Sequence, residues 1–261
     1  MSVKNANLFL RNIKKKLDKN WEFIISGGEP FIHKNFFEIV EGLVKLGYRV
    51  SVFTNFSVDP KKIIQFLKLT GDKCGSIFAS LHLEYTNPDK FFKKILIIEK
   101  SFPALRNHLF VTSVATDKAL PRLEKIKKKF FEKGCRFFIR PYQYTDHSFF
   151  SYSSKQKKII ERISKKYNLE PFQKQLEFRS TYGVDLSKIS SKGQRCWAGC
   201  LYFWMLANGA AFRCVYTEEK VGYIGNILRK DFRLLEGATK CQRKVCIDTN
   251  YYLKNLRILE R

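Results

Sequence analysis

Between residues 22 and 143, short runs rich in β-branched and aromatic residues alternate with longer stretches of helical period, and this repeat restricts the fold more than any other feature. The runs are EFIIS at 22–26, RVSVF at 49–53, SIFASL at 76–81, HLFVTSV at 108–114 and RFFIR at 136–140. Each is largely apolar on both faces, as expected of strands in a parallel sheet covered by helices. Between them Phe36, Phe37, Val40, Leu43 and Val44, then Ile63, Ile64, Phe66 and Leu67, and later Leu123, Ile126, Phe130 and Phe131 recur at helical spacing. An α/β fold follows, with an open doubly wound sheet and a complete or partial barrel both compatible with the pattern. The chain opens on a helix over residues 7–18, carrying Leu8, Leu10, Ile13 and Leu17, with no strand ahead of it. A leading strand of the repeat is therefore expected to be missing.

With 261 residues, 44% of them hydrophobic and 15% aromatic, the chain can bury one large core and a small appendage, which excludes a disordered protein. No run of 18 apolar residues occurs; the richest, Leu201–Phe212, is broken by Asn208 and Gly209. The N-terminus lacks the apolar segment and cleavage site of an export signal. Seven cysteines without such a signal point to a reducing compartment, the cytoplasm, where clustered thiols bind metal more often than they form disulfides. A formal charge of +25 suits a polyanionic partner, and a basic, zinc-binding nucleic-acid-binding protein is the competing class. Lysine predominates, however, and is spread along helix faces such as 127–129 and 157–158, which is the usual pattern of a solvated surface.

After the last strand comes the polar aromatic loop PYQYTDHSFFSYSS, then a helical stretch over about 155–167. Residues 169–192 lack periodicity and read as a connector. Five of the seven cysteines then fall between 196 and 246. The expected division is a barrel-like domain over 1–168, the connector over 169–192, and a small cysteine-rich domain over 193–261.

Two motifs carry chemistry. In EFIISGGEPFI a buried strand ends in Gly27 and Gly28, where the backbone can approach a ligand, followed by the carboxylate of Glu29 and by Pro30. In α/β folds ligands bind at the C-terminal ends of strands. Polar residues close other strands at that end: Thr54 and Asn55, then Ser80, His82 and Glu84. A tight turn without a ligand is the plain alternative for each, and His82 alone suits a structural histidine as well as a base. In the second motif, CWAGCLYFWMLANGAAFRC, two apolar runs flank Asn208 and Gly209 and read as a β-hairpin. The thiols around it are soft ligands that suit iron–sulfur clusters or zinc. Cys74 and Cys135 stand apart and read as buried, inert thiols, whereas Cys200 reads either as a ligand or as a bystander.

These residues resemble the radical S-adenosylmethionine (SAM) proteins that carry a C-terminal SPASM or twitch domain. Gly27, Gly28, Glu29 and Pro30 match the GGEP motif, whose backbone and carboxylate hold the amino group of SAM. Thr54 and Asn55 match the TN element, and Ser80 and His82 a polar cluster on a later strand. The spacing from Cys196 through Gly209 to Cys214 resembles the opening of a SPASM or twitch domain, GYIGNI at 222–227 its GNI element, and Cys241 with Cys246 completes a four-thiolate set. The resemblance implies a partial (β/α)6 TIM-type barrel missing its first strand, followed by a small C-terminal β-hairpin, cysteine-rich domain. It further implies one auxiliary iron–sulfur cluster, of the 4Fe–4S type, on Cys196, Cys214, Cys241 and Cys246. The implied activity is radical modification of a peptide, protein or small metabolite, with no membrane partner.

The family's CxxxCxxC, whose thiolates hold the cluster that cleaves SAM to a 5′-deoxyadenosyl radical, is absent, because no three cysteines here have that spacing. The resemblance therefore implies an N-terminally truncated or degenerate enzyme, inactive as given, with weak or absent SAM binding and no assignable catalytic residue. A catalytically dead scaffold is the other form of the same reading.

Overall fold

The computed structural model describes residues 1–142, 151–166, 192–214 and 222–241. Most of the loop after the last strand of the repeat, the connector up to residue 191, and Cys246 lie outside the described residues. The chain divides into two compact units. One spans Asp18–Tyr182, and the other joins Met1–Leu17 to the C-terminal residues.

The first unit is the βα repeat. Its strands are β1 (Glu22–Ile25), β2 (Arg49–Thr54), β3 (Cys74–Ser80), β4 (Leu109–Ala115) and β5 (Arg136–Pro141). Every neighbouring pair is parallel, in the sheet order β1-β2-β3-β4-β5. Among the described residues no strand reverses the order, so this sheet shows no switch point. That progressive winding belongs to barrel-like folds and not to doubly wound ones. Between the strands run α2 (Phe36–Lys45), α3 (Pro60–Thr70), α4 (Pro88–Ser101), a short α5 (Leu105–His108) and α6 (Leu120–Glu132); α7 (Ser154–Lys166) follows β5. Asp59 and Asn87 start α3 and α4 by accepting the free amides of the first turn, with Pro60 and Pro88 at the next position.

One face of the sheet is dense with aliphatic residues: Val50, Val52, Ile77, Val111 and Ile139 are all fully buried. Each contributes about 1.5–3 kcal/mol by leaving water. The alternate positions carry an aromatic ladder in which Phe53 stacks on Phe78 at 4.5 Å, Phe78 on Phe110 at 5.5 Å and Phe110 on Phe138 at 5.9 Å. Cross-strand register places Phe53 opposite Phe78 and Phe78 opposite Phe110, and with Phe138 on β5 the ladder ties four strands together on one face.

In the second unit α1 (Val3–Lys16) groups with the C-terminal residues. Buried Asn12 donates through Nδ2 to Ile227 O at 2.8 Å, and Lys16 Nζ donates to Lys230 O and Phe232 O at 2.8 and 2.6 Å. The helix read at the head of the repeat thus makes its long-range polar contacts with residues more than two hundred positions away. Here β7 (Trp204–Met205) and β8 (Ala210–Phe212) form an antiparallel hairpin, with β9 (Tyr223–Asn226) adding a third antiparallel strand. β6 (Arg195–Cys196) pairs antiparallel with β10 (Thr239–Lys240). No helix among the described residues is long and apolar enough to cross a membrane.

At the start of the sheet Ser51 Oγ donates to Glu22 Oε1 and accepts from the amide of Ser76. Gly75 leaves room for this junction, since a methyl group there would fall on Ser51 Oγ and 2.6 Å from Glu22 Oε1. Gly75→Ala is expected to lower the unfolding free energy by about 1–3 kcal/mol, read as a lower urea midpoint at unchanged slope. Adding Ser51→Ala should recover part of the loss. An unchanged midpoint in Gly75→Ala would contradict the packing described.

Candidate functional site

The GGEP loop leaves β1 at the C-terminal end of the sheet. Gly27 and Gly28 are exposed and adopt φ of +100° and +54°, a region that a side chain disfavours. An added Cβ at either would meet no atom within 4 Å, so open space borders the backbone of both residues. The next two residues turn inward: Glu29 and Pro30 are buried, and Pro30–Ile32 form a single 3-10 turn. Phe31 anchors that turn among Phe36 at 4.7 Å and Phe66 at 5.8 Å.

The Glu29 carboxylate joins this loop to the end of β2. Thr54 Oγ1 lies 2.9 Å from both of its oxygens, and the Asn55 amide donates to Oε2 at 2.8 Å. The Phe31 amide donates to Oε1 at 3.3 Å. Hydrogen bonds to a buried carboxylate are stronger than those between neutral groups, and without them the burial of the charge would be costly. The turn beyond Thr54 is fixed in turn. The Phe56 amide donates to Thr54 Oγ1 at 3.0 Å and the Ser57 amide to Asn55 Oδ1 at 2.8 Å, while Phe56 takes a positive φ of 60°. Lys94 Nζ donates to the carbonyls of Phe56, Ser57 and Val58, and Lys62 Nζ to that of Phe31.

The structure therefore brings Gly27, Gly28, Glu29, Pro30, Thr54 and Asn55 into one assembly. It gives Glu29 a holding role, because the carboxylate faces the protein while the glycines face open space. Ser80 ends the neighbouring strand β3, whose Ala79 is in register with Thr54. His82 follows, exposed, with its carbonyl accepting the amides of Tyr85 and Thr86. Glu84 accepts from Thr116 Oγ1 across the loops after β3 and β4. Lys94 and the strained turn at Phe56 were not legible as parts of this site, since a lysine inside a helical repeat reads as surface.

In the other unit Cys196, Ala198 and Cys214 form a buried cluster, with Tyr202 and Cys241 packed against it. Antiparallel pairing of β6 with β10 places Cys196 opposite Thr239, and the Cys241 amide donates to Gln194 O at 2.8 Å. The hairpin turn meets the GNI segment: Asn226 Nδ2 donates to Asn208 O at 3.1 Å, and the Ile227 amide to Gly209 O at 2.9 Å. A Cβ on Gly209 would lie 2.5 Å from Asn226 Oδ1, so glycine alone admits that approach. Three of the four thiols singled out in the sequence are thus drawn together from distant positions, and the fourth, Cys246, lies outside the described residues. Among the described residues no three His, Cys, Asp or Glu groups already stand at the distances of an ion's ligand set. Cys196 and Cys214 instead belong to one small buried cluster against which Cys241 packs, and thiols as a class are soft metal ligands. Cys200 is half-exposed and is not part of the cluster. Cys74 and Cys135 are buried in the first unit, and burial raises both thiols, that of Cys135 to about 11. Thiols held protonated in this way are poor ligands.

No protein-family profile matches the chain, and no curated protein does. Solved structures do match. anSMEcpe with bound AdoMet and the Cp18Cys peptide aligns with a TM-score of 0.56 at 18% identity, over 87% of this chain and 70% of that one. Streptococcus suis SuiB bound to S-adenosylmethionine aligns with a TM-score of 0.58 at 14% identity, over 88% of this chain and 57% of that one. SuiB bound to its precursor peptide SuiA aligns with a TM-score of 0.57 at 15% identity, and this chain spans 56% of its length. The fold is the one found in these AdoMet-bound proteins, as expected from the resemblance to radical SAM proteins.

Thr54→Val removes the hydroxyl from the Glu29 carboxylate with little change in volume. It is expected to cost about 1–3 kcal/mol of stability and to speed amide hydrogen exchange at Phe31 and Asn55, while Thr54→Ser retains both. Unaltered exchange at those two amides in Thr54→Val would show that the clamp does not hold the loop.

Proposed function

We propose that this chain is a radical SAM protein of the SPASM or twitch kind. In this reading the Gly27–Gly28 backbone receives the amino group of S-adenosylmethionine, and Cys196, Cys214, Cys241 and Cys246 hold one auxiliary iron–sulfur cluster. The observation that carries the reading is the open backbone at Gly27 and Gly28, fixed by Glu29 at the C-terminal end of a parallel sheet, in a fold shared with AdoMet-bound proteins. Peptides in two of the aligned structures favour a peptide as the substrate class.

When bound, an iron–sulfur cluster supplies electron transfer that a polypeptide cannot. The residues of this chain contribute position. Thr54 and Asn55 hold the Glu29 carboxylate, the carboxylate holds the Phe31 amide, and Phe31 is pinned in the helical layer, so the two glycines keep their backbone presented. A group met by such a preset backbone loses less freedom on ordering than one met by a mobile loop. Four thiolates from one hairpin unit would occupy all ligand positions of an auxiliary cluster, leaving no iron open to S-adenosylmethionine. With no CxxxCxxC among its 261 residues, the chain contributes the SAM-facing loop and the auxiliary site but not the SAM-cleaving cluster.

Anaerobic reconstitution with iron and sulfide is expected to load about one cluster per chain, a stoichiometry set by the four-thiolate ligand count. Alanine at Cys196, Cys214, Cys241 or Cys246 should remove most of the iron, whereas Cys74→Ala and Cys135→Ala should retain it. Stoichiometric zinc without visible absorption would overturn the cluster in favour of a zinc site. With S-adenosylmethionine and dithionite, the reconstituted chain should form no 5′-deoxyadenosine above a cluster-free control. Product above that control would overturn the assignment of the thiols to an auxiliary role.

A further inference from the structure

The two edges of the parallel sheet are built differently. At one edge β5 carries Arg136, Arg140 and Pro141, residue types that discourage a further strand, and its Phe137, Phe138 and Ile139 are buried. At the other edge β1 reads EFII and has no buried residue, with Ile24 46% exposed. Its one charge, Glu22, is turned along the sheet, where it accepts from Ser51 Oγ. Proline, lysine and a bulge are common means of blunting an edge, and β1 has none of them. Alternate residues of a strand direct their N–H and C=O groups to opposite sides, so part of the β1 backbone points away from β2, where no described strand lies. Ile24 is in register with Ser51, two residues before Phe53, and so sits on the face of the aromatic ladder. Phe23 lies on the opposite face, against Tyr48 at 5.1 Å.

We propose that the outer edge of β1 is a strand-addition site that takes an extended peptide with β-branched residues and acidic flanks. The backbone groups on that edge require a partner that offers N–H and C=O at strand spacing, which is what another extended chain supplies. β-Branched residues fit a pleated, half-covered surface, and one of them beside Ile24 removes its apolar area from water. The formal charge of +25 on the chain favours acidic flanks over basic ones. Ile25 ends β1 two residues before Gly27, so one end of the added strand lies next to the open backbone of Gly27 and Gly28. The inference rests on the proposed function only for what the peptide is presented to, because the pairing itself needs neither S-adenosylmethionine nor metal.

The test uses the full chain without either of them, as wild type, Ile24→Val and Ile24→Lys. The probe is the capped peptide Glu-Thr-Val-Thr-Val-Thr-Glu, and the readout is amide hydrogen exchange. At saturating peptide, amides of Glu22–Ile25 are expected to exchange about fivefold more slowly in wild type and in Ile24→Val. In Ile24→Lys, which places a charge on the edge, that slowing should be lost while exchange at Val50 and Val52 of β2 stays as in wild type. The same peptide N-methylated on its Thr and Val amides keeps every side chain and loses its backbone donors, so it should give no slowing in wild type. No slowing of β1 by the unmethylated peptide would overturn the proposal, and so would equal slowing by both peptides, which would mark a side-chain contact without strand pairing. A free wild-type chain that is dimeric, with β1 already protected and released by Ile24→Lys, would overturn it in favour of a second copy at this edge. Each of these negative results leaves the reading of Gly27 and Gly28 intact.

Discussion

A single buried carboxylate organises the ligand-facing end of the sheet. Glu29 accepts from the hydroxyl of Thr54, the amide of Asn55 and the amide of Phe31, and so joins the loop after β1 to the loop after β2. Everything nearby depends on that junction. Gly27 and Gly28 keep their positive-φ backbone facing open space because the residue after them is anchored. Phe31 enters the aromatic layer because its amide is satisfied there, and the unusual backbone at Phe56 is tolerated because Thr54 and Lys94 hold the turn on both sides. A buried charge is an expensive way to hold two loops, and it is stable here because three donors converge on it.

The cysteine-bearing unit solves a similar problem with separate means. Its strands are two to four residues long, too short to make a stable sheet alone. Their positions are set by close backbone approach at Gly209, by Asn226 reaching back to the hairpin turn, and by α1, whose Asn12 and Lys16 satisfy carbonyls between Ile227 and Phe232. What these contacts bring together is a small cluster of thiols. Metal binding is a common source of stability where the hydrophobic core of a unit is small.

Much of this was legible in the sequence, for identifiable reasons. Apolar residues fill both the buried face of the sheet and the half-buried face that carries the aromatic ladder, and all five runs of the repeat correspond to strands within two residues at either end, although β1, read as a buried strand, has no buried residue. The choice between a barrel-like and a doubly wound sheet was not legible, because it depends on strand order, which pairing alone reveals. The GGEP and TN segments were visible as polar closures of neighbouring strands. That Glu29 and Thr54 face each other was not, since they lie 25 residues apart and hydropathy carries no information on partners. The grouping of α1 with the C-terminal residues was hidden for the same reason. Asn12 and Lys16 look like solvent-facing positions of an amphipathic helix until the carbonyls they satisfy are known.

The central claim is that the open backbone of Gly27 and Gly28 is the surface that meets S-adenosylmethionine. It is tested most directly by following backbone amide resonances of the isotope-labelled chain while S-adenosylmethionine is added to millimolar concentration. The account predicts weak, saturable shifts centred on Gly27 and Gly28, extending to Phe31 and Asn55 through the Glu29 carboxylate, and abolished by Gly28→Val. Resonances of Gly27 and Gly28 that remain still, with shifts elsewhere or nowhere, would contradict it.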